Sequence, residues 1–424
     1  MTNIGAWLRG HFGGKASDPT VPVSSARTGP PLSDSFVDAN NAFAFAMYER
    51  LRQQQGNLFF SPFGIRTVLG MAHTGAKGET AAQIGQALRI PSSDEKTLQV
   101  TQAAMIERLN AASGGRYEMV VANSIWAQDG SPLLPVWLDL ATSQNAGGLN
   151  RVDFRREADS ARMAINRWVE HKTNRRIRDL ISPGGVNTET RLVLANAIYF
   201  KGRWVFRFRR AATHDEPFWL GGGKSVTTPL MSQQEEVLHM QADGYQAVEL
   251  SYEGGDLSML VLLPDDDDGL PELETRLSPR VLREAMSQMR LRKVMLFLPR
   301  FTITWGTANM GSQLAALGMT HAFDPSKADF SGINGFRPPH QDALFISALY
   351  HKAFVEVTEE GTEAAAASSV VMTLGAAPSR KSTPVPVFRA DHPFLFAIRD
   401  RNSGAILFLG RMVDPTKAAA PSPE

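Results

Sequence analysis

The side chains that could do chemistry in this chain are scattered. Its nine histidines show no ligand spacing to one another, and no His-Glu-x-x-His zinc motif is present. A Gly-x-Ser-x-Gly turn, which would raise a serine nucleophile at the head of a sheet, is absent too. Gly221-Gly222-Gly223-Lys224-Ser225 has the composition of a phosphate-binding loop, but the first glycine of that motif would have to stand at Phe218. The run therefore reads as a flexible turn. Asp265 to Asp268 could gather a cation; lacking the alternating oxygen ligands of a calcium loop, they read as a solvated connection. Cysteine is absent, which excludes thiol nucleophiles, disulfides and cysteine-held metals. These searches point away from catalysis, and no metal or cofactor is expected.

The chemistry that remains is conformational. Glu359-Glu360-Gly361-Thr362-Glu363 leads into Ala364-Ala365-Ala366-Ala367-Ser368-Ser369-Val370-Val371-Met372. Alanine favours helix, so an exposed helix or an alanine-rich linker is one reading. At period two, Thr362, Ala364, Ala366, Ser368 and Val370 share one face. All are small enough to slide into a packed sheet without overfilling it, and Gly361 supplies a backbone hinge. The second reading is a segment that is loop in one state and strand in another.

The elements that must carry this segment follow from the rest of the 424 residues, 43% of them hydrophobic and 21% charged. Lys+Arg and Asp+Glu nearly cancel, for a formal charge of +1, so neither nucleic acid nor a membrane surface is expected as a partner. No apolar run is long enough to span a bilayer. Met1 to Gly13 lacks a basic start followed by an apolar core; the default expectation is cytoplasmic, with an extracellular location as the alternative. Residues 1–33 read as a flexible arm rich in Gly, Ser, Pro and Thr, and 416–424 as a flexible tail. Helical spacing begins at Asp34, Ser61-Pro62 opens a second helix as N-cap and first helical residue, and Gly78 starts a third. A long helix is expected over Ala158–Leu180 and another over Leu270–Met289. Strands are expected at Tyr117–Trp126, Leu192–Phe200, Val237–Met240, Gln246–Leu250, Leu257–Leu263, Val294–Ile303 with an interruption at Pro299, Ala343–Val357, Phe394–Ile398 and Ala405–Leu409. Helices cluster early and strands late, without steady alternation, which gives an α+β class.

Several ordered blocks then resemble one family. His351-Lys352-Ala353-Phe354-Val355-Glu356-Val357-Thr358-Glu359-Glu360-Gly361-Thr362-Glu363-Ala364 resembles the hinge of the serpins, the serine protease inhibitors. Asn57-Leu58-Phe59-Phe60-Ser61-Pro62, Asn166-x-Trp168-Val169 with Thr173, and Leu194-Ala195-Asn196-Ala197-Ile198-Tyr199-Phe200-Lys201-Gly202-x-Trp204 are similar to further blocks of the same family, in the same order. Leu317-Gly318-Met319, Ala328 to Ile333, Asp391-His392-Pro393-Phe394-Leu395-Phe396 and Leu407 to Arg411 extend the likeness to the C-terminal signature. The resemblance covers about Asp34 to Pro415.

It implies one domain over 34–415 with three β-sheets, eight or nine helices and an exposed reactive-centre loop at about 361–384. It also implies a suicide inhibitor. A protease cuts the loop, the loop inserts into the large sheet, and the acyl-enzyme is trapped. The implied hinge is Gly361, Thr362, Glu363, Ala364, Ala366 and Ser368, with Glu363 on the solvent side. Ser61, Asn196 and His351 match the shutter that latches the central strands; Arg300 and Glu359 match a breach ion pair beside Trp204. Gly64 stands where the family usually has a serine, so one shutter hydroxyl is missing. Counting along the loop puts the reactive bond at Gly375-Ala376, after Leu374, which suits an elastase-like or subtilisin-like serine protease. Arg380-Lys381 is the alternative bond for a trypsin-like protease, and a cysteine protease the alternative target class. Leu98–Asn110 matches the helix that binds heparin in some relatives, but Arg108 is its one strong base, so no such cofactor is expected. A monomer is implied. The second functional reading is a non-inhibitory serpin acting as a binding or chaperone-like module.

Overall fold

The apolar run from Leu192 to Phe200 becomes a strand covered on both faces. Leu192, Leu194, Ile198 and Phe200 enter one core, while Val193, Ala195, Ala197 and Tyr199 enter another. In this computed structural model, which describes residues 34–90, 95–111, 117–143, 148–307, 309–362 and 384–417, that strand sits at the centre of the smaller of two sheets.

Along the chain come α1 (Asp34–Leu51), β1 (Leu58–Phe60), α2 (Pro62–His73), α3 (Gly78–Ala87), α4 (Glu95–Ala111), β2 (Tyr117–Gln128), α5 (Pro135–Ser143), β3 (Leu149–Val152), α6 (Phe154–Lys172) and β4 (Leu192–Arg203). Next are β5 (Thr213–Gly221), β6 (Lys224–Ala242), β7 (Tyr245–Ser251), β8 (Leu257–Pro264), α7 (Leu270–Arg276), α8 (Pro279–Gln288), β9 (Arg290–Pro299) and β10 (Phe301–Thr307). Last come α9 (Gly311–Ala316), α10 (Ser331–Asn334), β11 (Ile346–Thr358), β12 (Gly361–Thr362), β13 (Val387–Arg389), β14 (Phe394–Asp400) and β15 (Ile406–Met412). The class is α+β, as the sequence leads one to expect.

The six-stranded sheet has the order β10-β11-β12-β4-β2-β3. The nine-stranded sheet runs β1-β15-β14-β8-β7-β6-β9-β13, with β5 also on β6. Strand β6 is 19 residues long and serves two layers: β5 pairs with its first half, from Lys224 to Met231, and β7 with its end, from Leu238 to Ala242. Two of the three expected sheets are thereby joined through one strand. The main core fills the space between the sheets and the helices packed on them. A second core lies between the six-stranded sheet and α6, where Trp126 meets Trp168 edge to face at 6.1 Å.

Ten α-helical segments occur among the described residues, and the helix expected over 270–289 is two of them. Ser278 caps the second piece, accepting from Val281 N at 3.3 Å, with Pro279 at its first position. The helix expected over 158–180 instead starts at Phe154, capped by Asp153, and stops at Lys172. There Thr173 Oγ1 donates to Val169 O at 2.8 Å, and Ile177 and Leu180 pack back from a loop. The interruption expected at Pro299 in the 294–303 strand is found there, and it separates two strands that belong to different sheets. The first two residues of the expected tail, Thr416 and Lys417, are hydrogen-bonded. Thr416 N donates to Asp414 Oδ1 at 3.0 Å, and Asn57 Nδ2 donates to Lys417 O at 2.6 Å. The arm 1–33 and residues 418–424 lie outside the described residues.

Candidate functional site

Strands β11 and β4 are parallel neighbours from Ile346↔Leu192 to Phe354↔Tyr199. Above that point they separate, and β12 stands between them. Thr362 pairs with Val357 on one side and Gly202 on the other; Gly361 pairs with Thr358 and Arg203. The first two hinge residues are thus already strand. Gly361 is glycine for a steric reason: its φ is +146°, and a Cβ there would lie 2.1 Å from Gly202 O. Thr362 is fully buried, and its Oγ1 is 2.8 Å from the hydroxyl of Tyr252. Tyr252 is itself completely buried, stacked on Trp204 at 4.6 Å and edge-on to Phe200 at 4.7 Å. Burial pushes its hydroxyl well above the usual tyrosine range, so it serves as a neutral hydrogen-bonding group.

The turn before the hinge is held just as closely. Trp204 N donates to Glu360 O and Phe208 N to Glu359 O, both at 2.9 Å, while Trp204 Nε1 donates to Thr358 O at 3.0 Å. Glu359 is 2% exposed, and its carboxylate accepts from Arg300 Nε at 2.8 Å and Thr213 Oγ1 at 2.7 Å, with Arg300 Nη2 also bonded. Burial alone would raise this carboxyl, but the Arg300 and Thr213 hydrogen bonds outweigh it and hold it below the usual range. The pair is therefore more than a surface ion pair, since its acidic partner is desolvated.

Lower in the sheet a polar relay crosses the same strands. Register aligns Asn123 of β2, Asn196 of β4 and His351 of β11 in one row. Ser61 N donates to His351 Nε2 at 3.1 Å, which leaves the proton on Nδ1, facing Asn196 Oδ1 at 2.5 Å. Asn196 Nδ2 in turn donates to Asn123 Oδ1. Ser61 Oγ donates to Leu407 O at 2.7 Å while accepting from Gly64 N at 2.9 Å. It is thus a helix cap and a strand anchor at once. His351 is fully buried and its pKa is pushed down to about 3 by desolvation, so the relay runs through a neutral ring. These side chains sit in an otherwise apolar core, and the hydrogen bonds make burial tolerable.

A family profile for serpins, the serine protease inhibitors, matches residues 38–415. The chain is a serpin. It is 37% identical over 395 residues to the human leukocyte elastase inhibitor, covering 90% of this chain and 100% of that protein. Its structure resembles uncleaved ovalbumin with TM-score 0.80 at 32% identity, over 90% of this chain and 100% of that one. It also resembles human thyroxine-binding globulin complexed with its hormone, with TM-score 0.80 at 27% identity, over 90% and 99% of the two chains.

In this serpin, the expected shutter residues Ser61, Asn196 and His351 lie in one hydrogen-bonded row, and Arg300, Glu359 and Trp204 meet at the hinge. Of the hinge set, Gly361 and Thr362 are seen; Glu363, Ala364, Ala366, Ser368, Leu374, Gly375, Ala376, Arg380 and Lys381 lie outside the described residues. The space at Gly64 is filled by Asn196: a Cβ there would lie 2.7 Å from both polar atoms of the Asn196 amide. Asn123, Tyr252 and Thr213 were missed from the sequence. Only parity on β2 could have suggested Asn123, and nothing local marks the other two. Arg108 pairs with the buried Asp400 at 2.8 Å.

Proposed function

We propose that this serpin is a covalent, suicide-type trap for serine proteases. The protease serine attacks the Gly375 carbonyl carbon, the bond to the Ala376 nitrogen breaks, and the amine leaves with a proton from the protease. The acyl-enzyme is then carried away by insertion of the freed strand, and distortion of the protease blocks attack by water on the ester. One observation carries this reading: Gly361 and Thr362 are already hydrogen-bonded between β11 and β4, and the two strands are still paired directly below them.

Continuing the register of β12 downward gives each small residue a partner. Ala364 would stand between Val355 and Phe200, Ala366 between Ala353 and Ile198, and Ser368 between His351 and Asn196. A new strand doubles the β11–β4 spacing from about 4.8 Å to roughly twice that, so the His351–Asn196 bond cannot survive insertion. The Ser368 hydroxyl would then take over both partners, which gives a reason for serine in a row of alanines. About ten inserted residues at roughly 1 kcal/mol of net hydrogen bonding each rival the whole stability of an ordinary domain, about 5–15 kcal/mol. That is enough to deform a bound protease.

The small residues at Gly375-Ala376, preceded by Leu374, favour elastase-like or subtilisin-like targets, and a 37%-identical human relative is named for leukocyte elastase. Mixing the chain with a panel of serine and cysteine proteases should give a denaturant-resistant complex and a C-terminal fragment beginning at Ala376. A fragment beginning at Lys381 would move the bond to Arg380-Lys381. Cleavage without any stable complex, and without a rise in thermal midpoint, would overturn the trap in favour of a non-inhibitory binding module.

A further inference from the structure

The segment that follows the reactive loop is fastened to the body by a three-residue strand, by the buried side chains of Phe388 and Ala390, and by Arg389, which lies over the Phe297 ring. Strand β13 pairs with β9 only over Val387–Arg389, and bonds from Met295 N to Pro386 O at 2.9 Å and from Ala390 N to Phe297 O at 3.0 Å close its two ends. Directly beyond lies an ion cluster. Arg389 donates from Nε to Asp391 Oδ2 at 2.6 Å and also grips Glu216 of β5. Trp219 N of the same strand donates to Asp391 O at 2.7 Å.

His392 is 6% exposed and closes this cluster against the turn after β8. Its Nδ1 lies 3.1 Å from Asp391 Oδ1 and 3.6 Å from Asp267 Oδ1, and its Nε2 lies 2.9 Å from Pro264 O. Each of these oxygens is an acceptor. A neutral imidazole has one N–H and one lone pair, so in either tautomer it would aim that lone pair at an acceptor. Only the imidazolium satisfies both sides. The charged groups around the ring are Asp391 and Asp267, with Arg389 and Glu216 linked to it through Asp391. Burial alone would lower the His392 pKa, but the Asp391 hydrogen bond, the Pro264 carbonyl and the Asp267 charge outweigh it and raise it above the ordinary histidine value.

We propose that His392 is a proton-operated fastener of β13: as imidazolium it ties the end of that strand to Pro264 and Asp267, and when neutral it lets the strand open. The sign follows from linkage. The closed state holds the proton more tightly, so the fastening is complete below the free-histidine pKa of about 6.5 and is lost as pH rises through the higher closed-state value. Each unit of difference makes opening of the neutral form about tenfold easier. An open β13 would give an uncut loop the slack to enter the sheet by itself. Opening is independent of whether the chain inhibits a protease; only the resulting loss of inhibitory capacity at alkaline pH rests on that function.

The test is amide hydrogen exchange on the full chain from about pH 5.5 to about pH 9, corrected for intrinsic exchange and read at Ala390, with NMR titration of the His392 ring. In the wild type the opening should grow as pH rises above ~6.5 and then level off. His392→Gln should be open at every pH to the extent the wild type reaches at high pH, and Asp267→Asn should lower the titration midpoint. Protection of Ala390 that does not change with pH, or a His392 midpoint at or below that of free histidine, overturns the fastener even if the glutamine variant fails to fold. Absence of a protease complex would leave the fastener standing and remove only its consequence for inhibition.

Discussion

Replacing Thr362 by arginine asks the structure a sharp question. Thr362 is fully buried between Val357 and Gly202, with its hydroxyl 2.8 Å from that of Tyr252. An arginine left in that position would bury an unpaired guanidinium, which costs several kcal/mol even after relaxation. It would also strand the Tyr252 hydroxyl, at roughly 1–3 kcal/mol. Leaving the sheet is cheaper, because β12 is only two residues long and its hydrogen bonds contribute about 1 kcal/mol each. The intact variant should therefore fold with its hinge expelled. Trapping is another matter, since insertion must begin at this very position. A barrier raised by about 4 kcal/mol slows a step about a thousandfold, and hydrolysis of the acyl-enzyme then wins. The assay is a titration of an elastase-like protease with wild type and variant, read as residual activity and on a denaturing gel. Wild type should trap near one to one; Thr362→Arg should be cut as a substrate, and Thr362→Ser should behave like wild type. A Thr362→Arg variant that traps with unchanged stoichiometry would refute the idea that insertion starts here.

Tyr252→Phe leaves the Thr362 hydroxyl unpartnered in a buried site, so amide exchange across Gly361–Thr362 should accelerate by about tenfold or more, for a cost of roughly 1–3 kcal/mol; unchanged protection would show that the hydroxyl pair does not hold the hinge. Gly64→Ser places a Cβ 2.7 Å from the Asn196 amide, and the overpacking, roughly 1–3 kcal/mol, should lower the thermal midpoint; an equal or higher midpoint would mean Asn196 moves freely. His351 binds its proton at about 3 when folded and at about 6.5 when unfolded, so the unfolded chain takes up one extra proton in between. Stability from this site is full above pH ~6.5 and falls by about 1.4 kcal/mol per unit below it. His351→Asn should flatten the acid side of a plot of unfolding against pH, and a slope identical to wild type would contradict a buried neutral ring.

Much of this architecture could be read along the chain. The nearly continuous apolar run of Leu192 to Phe200 fits a strand covered on both faces, and its successive side chains do enter two cores, one on each side. Ser61-Pro62 announced a helix start, because capping depends on neighbours a few residues away. The failures also have local causes. The 270–289 helix broke at Ser278-Pro279, where capping chemistry overrode a continuous apolar period, and the 158–180 helix stopped at Lys172, where Thr173 Oγ1 caps Val169 O; the interruption expected at Pro299 is where the chain passes from one sheet to the other.

By itself, then, the sequence determined which residues could be strand, which could hinge, and that Thr362 and the small residues after it could share a face, since propensity, size and parity are properties of neighbours. The tertiary structure alone decided that Gly361 and Thr362 are already in the sheet, that Tyr252, far away in the chain, receives the Thr362 hydroxyl, and that Asn123 completes the row begun by Ser61 and His351. Those contacts join residues far apart along the chain. Their energies depend on which strands come to lie side by side and on the loss of water around them, and no local pattern encodes either.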